Sequence, residues 1–598
     1  MVANGLIFCL DQQSRTLKAF EGLADQSSVF PTKEHGSWSL ESEIQVDEWI
    51  SVVCTTEEDK VRLKLNGTTV AMLDGLDIHP LLGGAPNNSG SVAFGGPVGW
   101  TATYRNLHVQ TLDGQALYSN TLLPSEAART MLDFAVGSNP LSCTIDGAKR
   151  DRSTFGGDLF VMGQSVAYST NNIDAIKGSI QLLTSHQTKD GFLGNLCPIQ
   201  APMHTEEEEP PTYAFYSLEY ALLLTVAMKN YWFTSGDVDI VRELWPKLIK
   251  LMEFVGSFAS EQGLIAAPPP LSLTFFPLAG PVFGPAAHTN LAYYDALLAM
   301  TTIAEAASAD ASTYVVKAET LKASILTNLW SSKTGHLSIG ASYPTTSHSQ
   351  QSHAYSILLG VSPPHVSDAA LLLQPDTSLP LSFLSGPQFS HQPLVSPFST
   401  AFAVEAAFKR SLGSGALSLL KRVWGPMADA SDPDFSGCHW EAMNGEGRPI
   451  HDSTSLVHGW STAPVYLLPK YLAGVRVVEP GWKRWAVEPV EAGVKHVEAR
   501  LETVAGRLGA RIDWDESGTK GRIKVEVPDG TVAEVIAPVG WLVIAGPSER
   551  SERKEAFTGP GTFVVSVRRE AKTVTTPVLE AAGLLEADAD GRTLVAQT

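Results

Sequence analysis

The sequence predicts a multidomain chain: a central (α/α)6 toroid flanked by an N-terminal β jelly-roll and a C-terminal β-sandwich. Three observations predict it. Period-two alternation marks the first hundred or so residues. Paired helical periodicities joined by long Gly/Pro/Ser-rich loops fill the middle. Short strand-like runs return at the end. At 598 residues the chain is too long for one hydrophobic core, so several domains are expected.

The first region, residues 1–125, reads as β. From Trp49 to Leu73, Val61, Leu63 and Leu65 face one side while Arg62 and Lys64 face the other, and Asn66-Gly67 is a hairpin turn signal. Further short strands are expected around Ser91–Phe94 and Thr101–Val109. The pattern resembles a concanavalin-like jelly roll of the laminin-G type, a lectin-like domain.

The second region, residues 126–472, reads as helix. Val241, Leu244, Leu248 and Leu251 recur at helical spacing behind Asp237, which stands where an N-cap belongs; Pro246 is expected to kink that helix. Leu291, Tyr294 and Leu298 repeat the pattern after Thr289 and Asn290. Leu321, Ile325 and Leu329 form another face, and a last run spans Ser455 to Leu472. About ten to twelve helices of ordinary length fit the span. Helix pairs with long loops (263–287 and 334–350 are examples) suggest a toroid whose loops and helix ends build a central funnel.

The third region, residues 473–598, returns to β. Strands are expected at Val475–Val478, Val497–Leu501, Leu508–Trp514, Arg522–Val527 and Thr531–Ile536, with Pro528-Asp529-Gly530 as a turn.

Composition narrows the function. A net charge of −20 disfavours nucleic acid and anionic membrane surfaces as partners. The five cysteines (Cys9, Cys54, Cys143, Cys197, Cys438) are odd in number and widely spaced without a C-x-x-C pair, so they read mostly as free or buried thiols, with at most two disulfides. The start MVANGLIFCLDQ lacks a basic segment followed by a long apolar run, and no stretch approaches the ~18 apolar residues of a membrane span. The protein is expected to stay inside the cell unless a leader has been removed. Asn66 and Asn87 head N-x-S/T sequons.

Three constellations carry chemistry. In DGAKRDRSTFGGD, Asp146 to Asp158, three carboxylates, two arginines and a lysine fall together. Like charges at this density shift one another's proton affinity, and one carboxyl can thereby become a proton donor; a solvated turn with surface ion pairs has the same composition. In GCHWEAMN, Trp440 precedes Glu441. An aromatic beside a carboxylate suits a sugar, the ring against its C–H face and the carboxylate on hydroxyls or water; a helix-start glutamate beside a core tryptophan is the plainer alternative. In SLVHGWSTAPVYLL, His458 and Trp460 stand at the start of a helix, where a histidine also serves as a satisfied core residue. No G-x-S-x-G elbow, Gly-rich phosphate loop or H-E-x-x-H occurs. The run Glu206–Glu209 reads as a solvated loop rather than a cation site.

Taken in order, DG-x-KRDR-x-x-x-x-GD, aromatic-Glu, HGW-S-x-x-P and a Gly-Val turn into β resemble the α-L-rhamnosidases of glycoside hydrolase family 78, in the six-hairpin glycosidase superfamily. The likeness covers roughly residues 130–545. YWFTSGD (Tyr231–Asp237), NLAYYDAL (Asn290–Leu297), VSPFST (Val395–Thr400) and WGPM (Trp424–Met427) follow the family's order.

The resemblance implies an exo-acting, inverting hydrolase releasing terminal α-L-rhamnose from a glycoside or polysaccharide, with no cofactor and no metal. It places Asp151 as general acid and Glu441 as general base. Asp146, Arg150 and Asp158 take positions that bind sugar hydroxyls or hold the acid, Phe155, Trp440, His458 and Trp460 line the pocket, and Glu219 corresponds to a further sugar-contacting carboxylate. The sequence departs from the family at Asp151, where glutamate is common, at Phe155, where tryptophan is usual, and at Ser153. Two other readings remain open: a glycosidase of the same fold for another exo-sugar, and a carbohydrate-binding protein on an inactive toroid. A monomer or weak homo-oligomer is expected.

Overall fold

The computed structural model describes residues 5–21, 33–41, 44–45, 47–79, 86, 90, 92–95, 101–134, 136–149, 151–205, 209–210, 217–271, 282–373, 394–450, 454–545 and 550–570. Three kinds of layer follow one another along the chain.

The N-terminal strands form small antiparallel sheets, two of three strands (Leu6–Asp11, Thr16–Glu21, Lys33–Ser39; Val52–Glu57, Lys60–Leu65, Thr68–Leu73) and one of two (Leu107–Gln110, Ala116–Asn120). Asn66 and Gly67 both take positive φ, 48° and 83°, which is the geometry a two-residue hairpin demands. Val61 and Leu63 are buried, and Leu63 joins Leu17 and Ala71 in a small core separate from the main one. The strand expected at Thr101–Val109 is shorter than its pattern, starting at Leu107; residues 92–95 are not strand, and Ser91 lies outside the described residues.

Twelve α-helices follow among the described residues: α1 (Ala127–Asp133), α2 (Gly156–Ala167), α3 (Ile173–Ser185), α4 (Leu218–Ser235), α5 (Val238–Gly256), α6 (Ala287–Ile303), α7 (Ser312–Asn328), α8 (Gln350–Leu358), α9 (Asp368–Leu373), α10 (Pro397–Lys409), α11 (Gly413–Ala428) and α12 (Ala463–Leu467), the last running into a π-helical turn, Leu468–Leu472. The even-numbered helices from α2 to α12 pack in cyclic order, α12 closing back on α2. Their composition fits an inner ring. Most residues of α4 and nearly all of α6 and α10 are buried, as for helices covered on all sides. The odd-numbered helices from α3 to α11 lie outside. In α5, Ile240, Val241, Leu244, Leu248, Leu251 and Val255 are buried in a stripe and the opposite face is wet. Asp237 caps α5 by accepting from Asp239 N and Ile240 N, and the helix runs through Pro246 to Gly256. Gly236 ends α4 in the left-handed region, φ 75°, and returns its N–H to Trp232 O at 2.7 Å. Helix α6 begins at Ala287, four residues ahead of Leu291, with Ala286 at its N-cap making no side-chain hydrogen bond.

After the helices come two sheets, one of four strands (Val475–Val477, Arg484–Val487, Val532–Ile536, Lys554–Thr558) and one of six (His496–Thr503, Gly506–Trp514, Lys520–Val527, Gly561–Arg569, Trp541–Ala545, Arg550–Glu552). Their buried residues, Trp485, Ile512, Ile523, Val535 and Trp541 among them, are continuous with the core of the helical ring. All five cysteines are free thiols, and no helix among the described residues is long and apolar enough to cross a membrane.

Candidate active site

The first turns of the inner helices meet at one end of the ring. Gly156 and Gly157 open α2 against Tyr220 in the first turn of α4; a Cβ on Gly157 would sit 2.3 Å from the Tyr220 ring. Glu219 of α4 meets His288 and Thr289 of α6. Ser399 of α10 donates to Gln351 of α8 at 3.0 Å. Phe398 of α10 packs on Trp460, ring centroids 5.5 Å apart. His458, just before Trp460, returns to Asp158 of α2.

Three segments distant in sequence are stitched together here by their backbones. Asp146 N donates to Ser153 O (2.8 Å), and Ser153 N donates to Asp146 Oδ1 (2.8 Å), closing the first loop on itself. Gly459 N donates to Asp146 O (2.5 Å) and Ala148 N to Val457 O (3.2 Å), joining that loop to the HGW segment. His458 N donates to His439 O (2.9 Å), Glu441 N to Ser455 O (2.8 Å), and Ser455 N to Glu441 Oε2 (2.9 Å), adding the third. Glycines make the approach possible. A Cβ on Gly147 would fall 2.8 Å from His458 Nδ1 and 2.9 Å from Val457 O, and one on Gly459 would fall 2.4 Å from Met162 Sδ.

The result is a cluster of carboxyls. Asp146 and Asp158 are each 2% exposed, while Ala148, Lys149 and Arg152 between them are exposed, so the two end carboxyls are buried and the middle of the loop is solvated. Burial pushes Asp146 up to about 7, with the charge of Asp151 adding to it and the Ser153 N–H opposing it. Burial also drives Asp158 well above the ordinary carboxylate range, and the charges of Asp146, Glu441 and Asp151, in that order, reinforce the rise. All four carboxyls are therefore within electrostatic reach of one another. His458 Nε2 lies 3.6 Å from Asp158 Oδ1, and both side chains are nearly inaccessible. A neutral carboxyl in such a place donates a proton to a ligand oxygen as readily as it accepts one.

Asp151 and Arg152 hold φ of 55° and 48°, two successive non-glycine residues in the left-handed region, with Ser153 Oγ donating to Asp151 O (3.1 Å). Backbone held this way is a cost that the surrounding hydrogen bonds sustain. Glu441 does not start a helix; it precedes the short strand Met443–Asn444. Trp460 donates its indole N–H to Glu441 O at 2.9 Å. Trp440 is fully enclosed, with the Arg448 guanidinium 5.6 Å over its ring, so its indole faces the core and not open space. Phe155 is half-buried and meets Tyr220 edge-on. Arg150 lies outside the described residues.

Glu219 stands apart from the cluster, on α4, 1% exposed, with Oε1 accepting from Thr289 Oγ1 (2.7 Å) and 2.8 Å from His288 Nε2. Ser455 is a site residue that the sequence pattern does not mark; its place at the head of SLVHGW, five residues before Trp460, is the available signal. Among the described residues no group of three His, Cys, Asp or Glu is arranged to hold a metal. Of the acidic run, 206–208 lie outside the described residues and Glu209 is within 3.7 Å of Lys189.

Residues 126–373 match the six-hairpin glycosidase domain of bacterial α-L-rhamnosidases, and residues 474–550 match the bacterial α-L-rhamnosidase C-terminal domain. Among solved structures the chain is similar to a GH78 family rhamnosidase of Bacillus sp. GL1 (TM-score 0.53, 20% identity, 64% of this chain and 39% of that one). It is similar to an α-L-rhamnosidase from Dictyoglumus thermophilum (0.54, 16%, 77% and 52%) and to a Streptomyces avermitilis α-L-rhamnosidase complexed with L-rhamnose (0.53, 14%, 75% and 42%). The chain thus spans between 39% and 52% of the length of these three proteins, and at such identities the likeness is one of fold. None of the curated proteins matches it.

Proposed function

The chain belongs to the α-L-rhamnosidases of glycoside hydrolase family 78, within the six-hairpin glycosidases, and from that premise we propose that it is an exo-acting, inverting hydrolase of terminal α-L-rhamnosides. The helical ring is then an (α/α)6 toroid over residues 126–472, preceded by a jelly roll in 1–125 and followed by a β-sandwich in 473–598. The observation that carries the reading is the convergence of Asp146, Asp151, Asp158 and Glu441 at one end of the ring.

In this mechanism Asp151 protonates the leaving glycosidic oxygen. Glu441 takes a proton from a water on the opposite face of the sugar, and that water attacks the anomeric carbon as the bond to the aglycone breaks. Inversion asks for carboxyls ~6.5–9.5 Å apart, leaving room for the water. Supporting roles are assigned to the neighbouring residues. The Ser455 N–H holds Glu441 Oε2 and so fixes the carboxylate that meets the water. Asp146 and Asp158, whose carboxyls burial pushes upward, bond sugar hydroxyls, with His458 against Asp158. By the family resemblance Arg150 neutralises charge in the acid's motif, Phe155 and Trp460 supply apolar walls and Glu219 accepts a sugar hydroxyl, while Trp440, enclosed next to Glu441, supports that segment.

The test is hydrolysis of p-nitrophenyl α-L-rhamnopyranoside beside the arabinoside, fucoside and glucuronide, with the first-formed anomer followed by NMR. The expected product is β-L-rhamnose, and Asp151→Asn and Glu441→Gln are each expected to lose ~10²–10⁴-fold in rate. Release of the α-anomer would overturn inversion. Release of another sugar alone would overturn the substrate. Full activity in either variant would overturn the assignment of acid and base.

A further inference from the structure

Four histidines converge around the start of α8. His336, on a short hairpin (Trp330–Ser331, His336–Leu337), is 5% exposed, and its ring lies 4.3 Å from that of His348, centroid to centroid. His353, in the first turn of α8, is 1% exposed. His365 covers the hairpin turn so closely that a Cβ on Gly335 would overlap its ring. The charges of His348, His353 and His365 all reach His336. Among the described residues the carboxylate that meets this group is Asp368 of α9, and it is shared: Arg410 of α10 donates to Oδ2 at 2.8 Å, and His353 Nε2 stands 3.3 Å from Oδ1. Lys333, in the hairpin turn, is exposed. Helix α6, packed on α8, brings Asp295, which accepts from the Tyr355 hydroxyl at 2.7 Å.

The hydrogen bonds are those of neutral rings. Ser367 N donates to His365 Nδ1 at 3.2 Å, so that nitrogen carries no proton. His336 Nδ1 donates to Leu337 O (3.2 Å) and His348 Nδ1 to Thr346 O (3.3 Å), so a further proton on either ring goes to Nε2. Two stacked imidazoles resist both becoming charged, since like charges disfavour one another. Helix polarity adds to this. Ser349, next to His348, N-caps α8 by accepting from Ser352 N at 3.2 Å, and a positive charge beside a helix start is unfavourable. Burial, with the neighbouring imidazoles, holds His336 down at about 4 and His348 below its ordinary value.

The same turn of α8 is tied to the candidate base. Gln351 accepts from Ser399 Oγ of α10 (3.0 Å), the adjoining Phe398 packs on Trp460 (5.5 Å between centroids), and Trp460 donates to Glu441 O (2.9 Å). We propose that the four histidines form an acid-sensitive latch on the start of α8: neutral, they pack it against the hairpin; protonated in mild acid, they repel one another, the first turn of α8 loosens, and its support of α10 and Trp460 weakens. Rings that folding keeps neutral contribute stability that is fully present above about 6.5 and is lost as pH falls toward 4. Each histidine that takes a proton on opening favours the open state by up to roughly tenfold per pH unit.

The experiment is amide hydrogen exchange of the full chain at pH 7.5, 6 and 5, corrected for the intrinsic pH dependence of exchange, with α4 as internal reference, in wild type, His348→Gln and His336→Phe. Glutamine can still donate to Thr346 O, and phenylalanine keeps a stacked ring without its proton. In wild type, protection of the first turn of α8 is expected to fall about tenfold or more against that of α4 between pH 7.5 and pH 5. In each variant that fall should shrink severalfold. An α8 whose protection follows that of α4 at every pH overturns the proposal without any variant. An unchanged pH dependence in His348→Gln, at a half-buried position, overturns it as well, and these two comparisons decide the matter should His336→Phe fail to fold. Exchange reads the latch directly, so the outcome does not depend on the rhamnosidase reading.

Discussion

Ser455 and Glu441 hold each other by two bonds: Ser455 N donates to Glu441 Oε2 at 2.9 Å, and Glu441 N donates back to Ser455 O at 2.8 Å. One oxygen of a candidate base is thereby fixed by backbone, which no side-chain substitution at Ser455 short of proline removes. Glu441→Gln keeps an oxygen able to accept that bond. It is therefore expected to fold with an unchanged melting temperature while losing most of its rate, and circular dichroism beside initial-rate measurements checks both.

The two tryptophans next to this clamp should separate. Trp460→Phe removes the indole N–H bonded to Glu441 O. It is expected to cost on the order of 1 kcal/mol in stability and to lower kcat, because the base shifts with its backbone. Trp440 has no partner for its Nε1 among the described residues and is fully enclosed. Trp440→Phe should then cost stability through lost packing, roughly 1–3 kcal/mol, with a smaller effect on kcat. Urea unfolding and steady-state kinetics on the pair distinguish the roles; equal kinetic damage would contradict the separation.

Gly147 tests the stitching itself. An added Cβ meets His458 Nδ1, Ser455 Oγ and Val457 O, all within 3 Å, and backbone cannot yield cheaply. Gly147→Ala is expected to destabilise by ~1–3 kcal/mol and to depress activity with it. Gly163→Ala, inside α2 with nothing nearer than 3.7 Å to the new methyl, should be neutral or stabilising by up to ~1 kcal/mol. Denaturation midpoints for the two variants give the comparison.

The buried carboxyls make stability depend on pH. Asp146 rises from an ordinary 3.8 to about 7 on folding, and Asp158 moves the same way. The folded state therefore binds more protons than the unfolded one between those values. The favourable contribution is fully present below about pH 4 and is lost as pH rises through about 7. Burial pushes His336 down to about 4, with His348 adding to it, and this works in the opposite direction, its contribution being lost as pH falls from 6.5 toward 4. The difference between wild type and Asp146→Asn isolates the first effect. The variant should gain on wild type by ~2–3 kcal/mol between pH 5 and pH 8, at 1.36 kcal/mol per pH unit spanned. Urea unfolding at the two pH values measures it, and parallel losses in both proteins would show Asp146 to titrate normally.

Asp237 offers a control far from the site. It caps α5 and also accepts from Lys177 Nζ (2.7 Å) and Tyr231 OH (3.1 Å). Asp237→Ala is expected to cost ~1–2 kcal/mol by denaturant unfolding, with kcat untouched.

Local physics is written in the chain wherever neighbours in sequence decide the outcome. The alternation of Val61, Arg62 and Leu63 with Asn66-Gly67 fixes a hairpin, and Asp237 with the stripe from Val241 to Leu251 fixes a capped helix, because turn geometry and burial of one face act over a few residues. The motifs at 146–158, 440–441 and 458–460 were legible as chemistry for the same reason: unusual densities of carboxyl, aromatic and glycine need no long-range contact to be seen. What only the tertiary structure decided is where those groups stand and in which state. That Asp146 and Asp158 are buried with their proton affinities raised, that Trp440 turns into the core while Trp460 holds Glu441, and that Ser455 clamps Glu441 while His288 and Thr289 meet Glu219 depend on contacts between segments up to about three hundred residues apart. Desolvation and hydrogen bonding are set by what the folded chain places alongside a group, and the residue's own neighbours along the sequence carry no record of it.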